Sequence, residues 1–286
     1  MINNKKIVEL VWQSYDTDIL DARFHELQDI IDQWIIVEYP YDFARIKRPL
    51  YFSNERERFK KFEDKIIHVI DDHDYNGADS LTLLWSRKQS PKIRNILNET
   101  VNQDDFLVIS DSDCFLTKHC FENTFDPEKI YSFCLPWFLW WFDMRTFGPI
   151  FNWTQSAPYK YFDHCLMAQA NGVEVNYVGD GQLEGKQAGY HFAKCGTPEM
   201  ISEHLKGHPH QDLVQDPSIT NIEHIKERME KGYGWTDVSM GKAGKDWKWE
   251  FIDYDTNFYP EYINQHPEIY SKYFHNRMKL KKEENE

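Results

Sequence analysis

The run Phe106-Leu107-Val108-Ile109-Ser110-Asp111-Ser112-Asp113 decides how this chain is read. An apolar stretch of central-strand length ends abruptly in two carboxylates one residue apart, at the edge where α/β sheets bind ligands. Two hard oxygen ligands at the mouth of a sheet suit Mg²⁺ or Mn²⁺, and such an ion commonly bridges to a diphosphate. The competing reading is a solvated strand end. Asp-x-Asp occurs four times in this acidic chain, and position separates the copies. Asp16-Thr17-Asp18 precedes a polar helix start, Asp72-His73-Asp74 lies in a loop, and Asp253-Tyr254-Asp255 follows a period-2 pattern that suits a half-exposed strand.

Working outward from this run, strand and helix alternate. Residues 7 to 12 read as a strand, 18 to 31 as a helix with its apolar positions on one face, and 34 to 37 as a buried strand closing at Glu38. A charged surface helix is expected over 54 to 62, a third strand over 66 to 70, and helix over 80 to 100 with a restart at Pro91. With the strand at 106 to 110, three β-then-α units feed one mostly parallel central sheet flanked by helices, an α/β nucleotide-binding architecture.

Beyond Asp113 the pattern changes. Residues 131 to 147, with Trp137-Phe138-Leu139-Trp140-Trp141-Phe142 at their centre, read either as strands beside a substrate mouth or as a plain core hairpin. A helix over 159 to 170 stops at Asn171-Gly172, and a strand follows to residue 178. A short strand is expected at 189 to 192 and a helix from Pro198. Thr220-Asn221-Ile222-Glu223 reads as a capping box opening a helix that ends at Gly232. Residues 233 to 286 form an aromatic and charged extension with a frayed tail from 279.

Composition narrows the function. The net charge of −14 argues against a nucleic-acid or anionic-membrane footprint, and an aromatic content of 16% with ten Trp favours a ring-rich core or a sugar-facing surface. Five scattered Cys fit reduced thiols. With no apolar run long enough to span a bilayer and no signal peptide, a cytoplasmic location is expected.

The motifs together resemble glycosyltransferase family 17. The matching segments, in family order, are residues 20–27 (LDARFHEL), 34–38 (WIIVE), 47–52 (KRPLYF), 62–69 (FEDKIIHV), 108–113 (VISDSD), 188–192 (AGYHF) and 208–211 (HPHQ). The resemblance implies a GT-A-like domain over residues 1–232 that binds a UDP-sugar with Mn²⁺ or Mg²⁺ and transfers N-acetylglucosamine or a related hexose with inversion. Asp111 and Asp113 would hold the metal at the leaving diphosphate, and His191 would complete its shell, with His208 and His210 as rivals. Asp163, opening the helix after the acceptor loop, would be the general base; its structural alternative is a carboxylate stabilised by the helix dipole. Glu38 would contact the nucleoside and Arg94 the diphosphate. Cys195, four residues after His191, lacks the further clustered ligands of a structural zinc site.

Two departures stand out. Family members carry an acidic residue where this chain has Cys114, and animal relatives carry a membrane anchor, so the acceptor implied here is a saccharide or glycoconjugate other than a Golgi glycan. The alternatives are a viral transferase acting on hydroxymethylated bases in DNA and a noncatalytic carbohydrate-binding protein.

Overall fold

The computed structural model describes residues 5–15, 17–73, 75, 78–121, 126–146, 151–167, 175–178, 188–234, 249–253 and 258–275. Strands β1 (Ile7–Trp12), β2 (Gln33–Glu38), β3 (Ile66–Ile70) and β4 (Phe106–Asp111) lie parallel in the order β3-β2-β1-β4. Their connections are helical: α1 (Thr17–Leu27), a short α2 (Tyr51–Asn54) leading into a 3₁₀ segment (Arg56–Lys65), and then α3 (Ser80–Lys88) and α4 (Pro91–Thr100). The charged surface helix expected over 54 to 62 is thus mostly 3₁₀.

Both faces of this half are covered, which is why its strands read as continuous apolar runs. Ile7, Val11, Trp34, Ile36, Phe106 and Val108 pack on one side with α1, while Val8, Leu10, Ile35, Val37, Leu107 and Ile109 pack on the other with Ile93 and Leu97 of α4. Strand order reverses between β1 and β4, and that switch point opens a crevice at their carboxyl ends. Asp111 is the register partner of Trp12 there.

After β4 the chain serves two sheets. β5 (Cys114–Leu116) joins β7 (Trp137–Leu139), β8 (Met144–Thr146), β11 (Gly189–Ala193) and β12 (Trp249–Phe251) in a second sheet of order β12-β8-β7-β11-β5. β6 (Ile130–Leu135), β9 (Phe151–Pro158) and β10 (Val175–Val178) extend the first sheet beyond β4, with β9 antiparallel to both its neighbours. The result is a mixed α/β fold around a mostly parallel central sheet. Among the described residues, no helix is long and apolar enough to cross a membrane.

The aromatic run is packing. Phe138, Trp140 and Phe142 are fully buried, and Phe142 stacks between Phe192 and Tyr273 at ring-centroid distances of 3.9 and 4.7 Å. Trp137 differs from them because its edge reaches the crevice. Gly189 is required by the same packing: a Cβ there would stand 2.2 Å from the Phe115 carbonyl oxygen on β5.

Among the described residues, the remaining α-helices are α5 (Phe162–Met167), α6 (Pro198–Lys206), α7 (Ile222–Lys231), α8 (Glu261–Gln265) and α9 (Pro267–Tyr270). Asn221, not Thr220, caps α7, its side chain accepting from the His224 N–H, and Glu223 pairs with Lys226 instead of closing a capping box. The expected helix end at 168–170, the Asn171-Gly172 stop and the tail from 279 lie outside the described residues. The extension that is described clasps α1: Tyr270 and Tyr273 hydroxyls donate to the Asp18 carbonyl and carboxylate, and Tyr262 stacks on His25 at 3.9 Å.

Candidate active site

The crevice at the β1–β4 switch point is a cavity of about 330 Å³, within the range of ligand sites. Its floor is the end of β1 with Asp111 and Asp113. One wall is the loop from Tyr39 to Tyr51 and the end of α3; the other is Trp137, His191, Lys194 and α6.

A buried arginine fixes the carboxylate turn. Arg23, on the inner face of α1, donates to Ser110 Oγ (3.1 Å) and to the carbonyls of Asp111 (2.9 Å), Ser112 (3.3 Å) and Cys114. Its charge is answered by Glu9 at 3.7 Å, and Glu9 also accepts from Trp34 Nε1 and Ser110 Oγ. Glu9 and Arg23 are both fully buried, so removing either would strand the other in the core. Ser112 adds a second tie: its hydroxyl lies 2.7 Å from that of Ser14, and its N–H donates to the Trp12 carbonyl. Backbone carbonyls thus turn inward, and the two aspartate side chains line the cavity.

Asp113 meets His191, with Nε2 3.5 Å from Oδ2. β11 places that histidine opposite Cys114, and its ring stacks on Trp137 at 5.3 Å. Burial alone would raise the Asp113 pKa, but His191, His204 and Lys194 together hold it well below the usual carboxylate range, so it stays ionised. Asp113, Cys114 and His191 offer ligand atoms all within 4.8 Å of one another. Burial, then the charges of Asp113 and Asp111, push the Cys114 thiol well above its ordinary value, which keeps it a poor ligand. With the thiol set aside, the Asp113 carboxylate and the His191 imidazole remain in this group, with Asp111 lining the same cavity, and such oxygen and nitrogen donors fit a hard or borderline divalent ion such as Mn²⁺.

Cations crowd the same space, although the chain as a whole is strongly acidic. Lys88 ends α3 with its Nζ 3.1 Å from Asp111 Oδ1. Arg87 lies over Tyr39 and Phe43, and burial brings its pKa down to about 10, which leaves it charged at neutral pH. Arg48 donates to the carbonyls of Tyr39 and Gln13. Lys194 sits just after β11 at φ 55°, in the left-handed region, where the chain turns and its side chain joins the cavity wall. Burial brings Lys194 down to about 8 against the opposing pull of Asp113, whereas burial takes His204 down to about 3 and leaves it neutral.

Of the residues singled out in the sequence, Asp111, Asp113 and His191 come together at this cavity, and His208 and His210 join its far wall. The other four stand elsewhere. Glu38 is 1% exposed and accepts from the Phe52 and Ser53 N–H groups, from Ser53 Oγ and against His68, so it anchors the start of α2. Arg94 and Asp163 pair with each other at 2.6 Å on an exposed surface outside the cavity walls. Cys195 is buried against backbone carbonyls of β7 and β11. Sequence reasoning passed over Arg23, Lys88 and Lys194. Arg23 alone left a signal, as a charge on the apolar face of α1 inside the 20–27 segment.

The sequence model of glycosyltransferase family 17 matches residues 1–240. The human beta-1,4-mannosyl-glycoprotein 4-beta-N-acetylglucosaminyltransferase is 25% identical over 119 residues, which cover 38% of this chain and 21% of that protein. The same enzyme of Rattus norvegicus is 25% identical and that of Mus musculus 24%, over the same shares. The match therefore spans about a fifth of the length of these relatives. Among solved structures, the inositol-1-phosphate CTP transferase from T. maritima aligns with a TM-score of 0.37 at 8% identity, covering 60% of this chain and 84% of that one.

Proposed function

We propose that this chain, which belongs to glycosyltransferase family 17, moves a sugar from a nucleotide-diphosphate donor to a hydroxyl of a saccharide or glycoconjugate in the cavity at the β1–β4 switch point. One observation carries the reading: two aspartates and a set of lysines and arginines share a single crevice of a net-acidic protein. A diphosphate leaving group needs such positive charge as its bond to the sugar breaks.

The donor we assign is a UDP-sugar carrying N-acetylglucosamine or a related hexose, in line with the relatives' names. Gln13 supports the nucleotide part. Its side chain is 2% exposed on the cavity wall, and neither amide atom has a hydrogen-bond partner among the described residues. One donor and one acceptor in that position suit the edge of a nucleobase. Asp111, Asp113 and His191 would hold the divalent ion, which when bound offsets charge on the leaving diphosphate. Lys194, Arg48 and Arg87 add fixed positive charge around the same group, and Trp137 shields the reacting centre from water.

Inverting displacement requires a base on the acceptor side, within reach of the attacking hydroxyl. We assign it to Glu203, not to Asp163. Glu203 projects from α6 into the cavity mouth and accepts from the Tyr51 hydroxyl at 3.1 Å, while the other remaining cavity carboxylate, Asp42, is tied to the Ile46 N–H. The test is release of UDP from a panel of UDP-sugars with Mn²⁺ and with EDTA, repeated for Glu203→Gln. The expected result is Mn²⁺-dependent release that falls at least about a hundredfold in the variant. A folded protein that releases nucleotide from no donor under either condition would overturn the transferase reading.

A further inference from the structure

Lys88 presents a problem that the proposed metal site does not solve. Its Nζ lies 3.1 and 3.4 Å from the two carboxylate oxygens of Asp111, so the ammonium occupies the side chain that a metal ion would need. The lysine is also committed to its place. Its side chain is only 8% exposed, against 38% for Asp111, and Nζ sits 4.8 Å from the centroid of the Trp12 ring. Trp12 is in turn the register partner of Asp111, so the floor of the crevice seats the ammonium and the carboxylate together.

A nearly buried ammonium needs a countercharge. A divalent ion that takes Asp111 removes that countercharge and brings like charge against the lysine, and both effects oppose metal binding to the free protein. A diphosphate in the crevice reverses the balance, because it supplies new negative charge within reach of Lys88. We infer that Lys88 makes metal binding conditional on the diphosphate, exchanging Asp111 for the nucleotide's phosphates when both ligands enter. Lys88 is then a positioning residue for the leaving group and the source of a coupling free energy between metal and nucleotide. By linkage, each ligand tightens the other by the same factor. This inference rests on the proposed metal and nucleotide site and concerns its regulation.

The experiment is an Mn²⁺ titration of the full chain, read as the electron paramagnetic resonance signal of free Mn²⁺, with and without UDP. Lys88→Met keeps the stem over Trp12 without the charge, Lys88→Gln removes the charge with a polar end, and Lys88→Arg keeps it. In the wild-type protein, UDP is expected to tighten Mn²⁺ binding at least about tenfold. Lys88→Met and Lys88→Gln should bind Mn²⁺ alone about tenfold tighter than wild type and gain less from UDP than wild type does, with Lys88→Arg close to wild type. A misfolded variant would lose affinity for Mn²⁺, so the expected gain separates the charge effect from damage. If wild type binds Mn²⁺ and transfers sugar but neither neutral variant binds Mn²⁺ more tightly, the lysine inference fails and the transferase reading stands. If wild type binds neither Mn²⁺ nor UDP and transfers nothing, both fail.

Discussion

The two sheets of this protein build their buried centres by different routes. Strands β1 to β4 are built from Ile, Val and Leu on both faces, joined in chain order by helices, and each pairs with a neighbour one β-α unit away or across the switch point. The second sheet gathers short strands from positions 114 to 251 and is filled with interlocked rings: Phe138, Phe142, Tyr190, Phe192, Phe258 and Tyr273. A parallel sheet places its ligands by topology, at the carboxyl edge. A sheet assembled over long range can instead bring a distant side chain to that edge. The site lies at the seam, with Asp111 and Asp113 from the first sheet's exit and His191 and Lys194 from the second.

If rings hold the second sheet together, Phe142→Ala should cost about 3–5 kcal/mol in urea unfolding, because it empties a stack between Phe192 and Tyr273. A loss below about 1 kcal/mol would show that the second sheet does not depend on this stack. The next test contrasts a carboxylate at the seam with one away from it. Asp113→Asn should lower turnover about a hundredfold or more with little change in melting temperature, whereas Asp163→Asn should stay within about twofold, since Asp163 pairs with Arg94 outside the cavity. Equal losses in the two variants would break the distinction.

The smallest expected effect reads the second sheet's cation directly. With the Lys194 pKa lowered to about 8, the free protein carries the ammonium below that pH and loses it above. Because the protonated form is the one that attracts a diphosphate, kcat/KM should fall on the alkaline side, roughly tenfold by pH 9. Lys194→Arg keeps its charge there, so it should move this limb upward. A limb that does not move belongs to another group.

Much of the first sheet was legible. Period, length and punctuation located β1 to β4, and the end of the apolar run at Asp111 located the crevice, because strand ends at a switch point are ligand sites in any such sheet. The Asp113–His191 pairing was legible only through the resemblance, since the two stand 78 positions apart and spacing alone says nothing about their meeting. Glu38, Arg94 and Asp163 were read from their segments alone, which carry no information about their spatial partners. Each sits at a strand end or helix start where a ligand contact is chemically sensible, yet Glu38 is consumed by backbone N–H groups and the other two by each other.

The sequence by itself determined the α/β alternation, the mostly parallel sheet of the first half and the position of the carboxylate pair, since these follow from local periodicity, from the connections and from where apolar runs stop. Only the tertiary structure decided what those carboxylates face. Arg23 holds their turn from α1, Lys88 seats its ammonium on Asp111 from α3, and β11 brings His191 to Asp113 from the other sheet. Coulomb and hydrogen-bond energies depend on distance in space and on burial, and neither quantity is written in the spacing of residues along the chain.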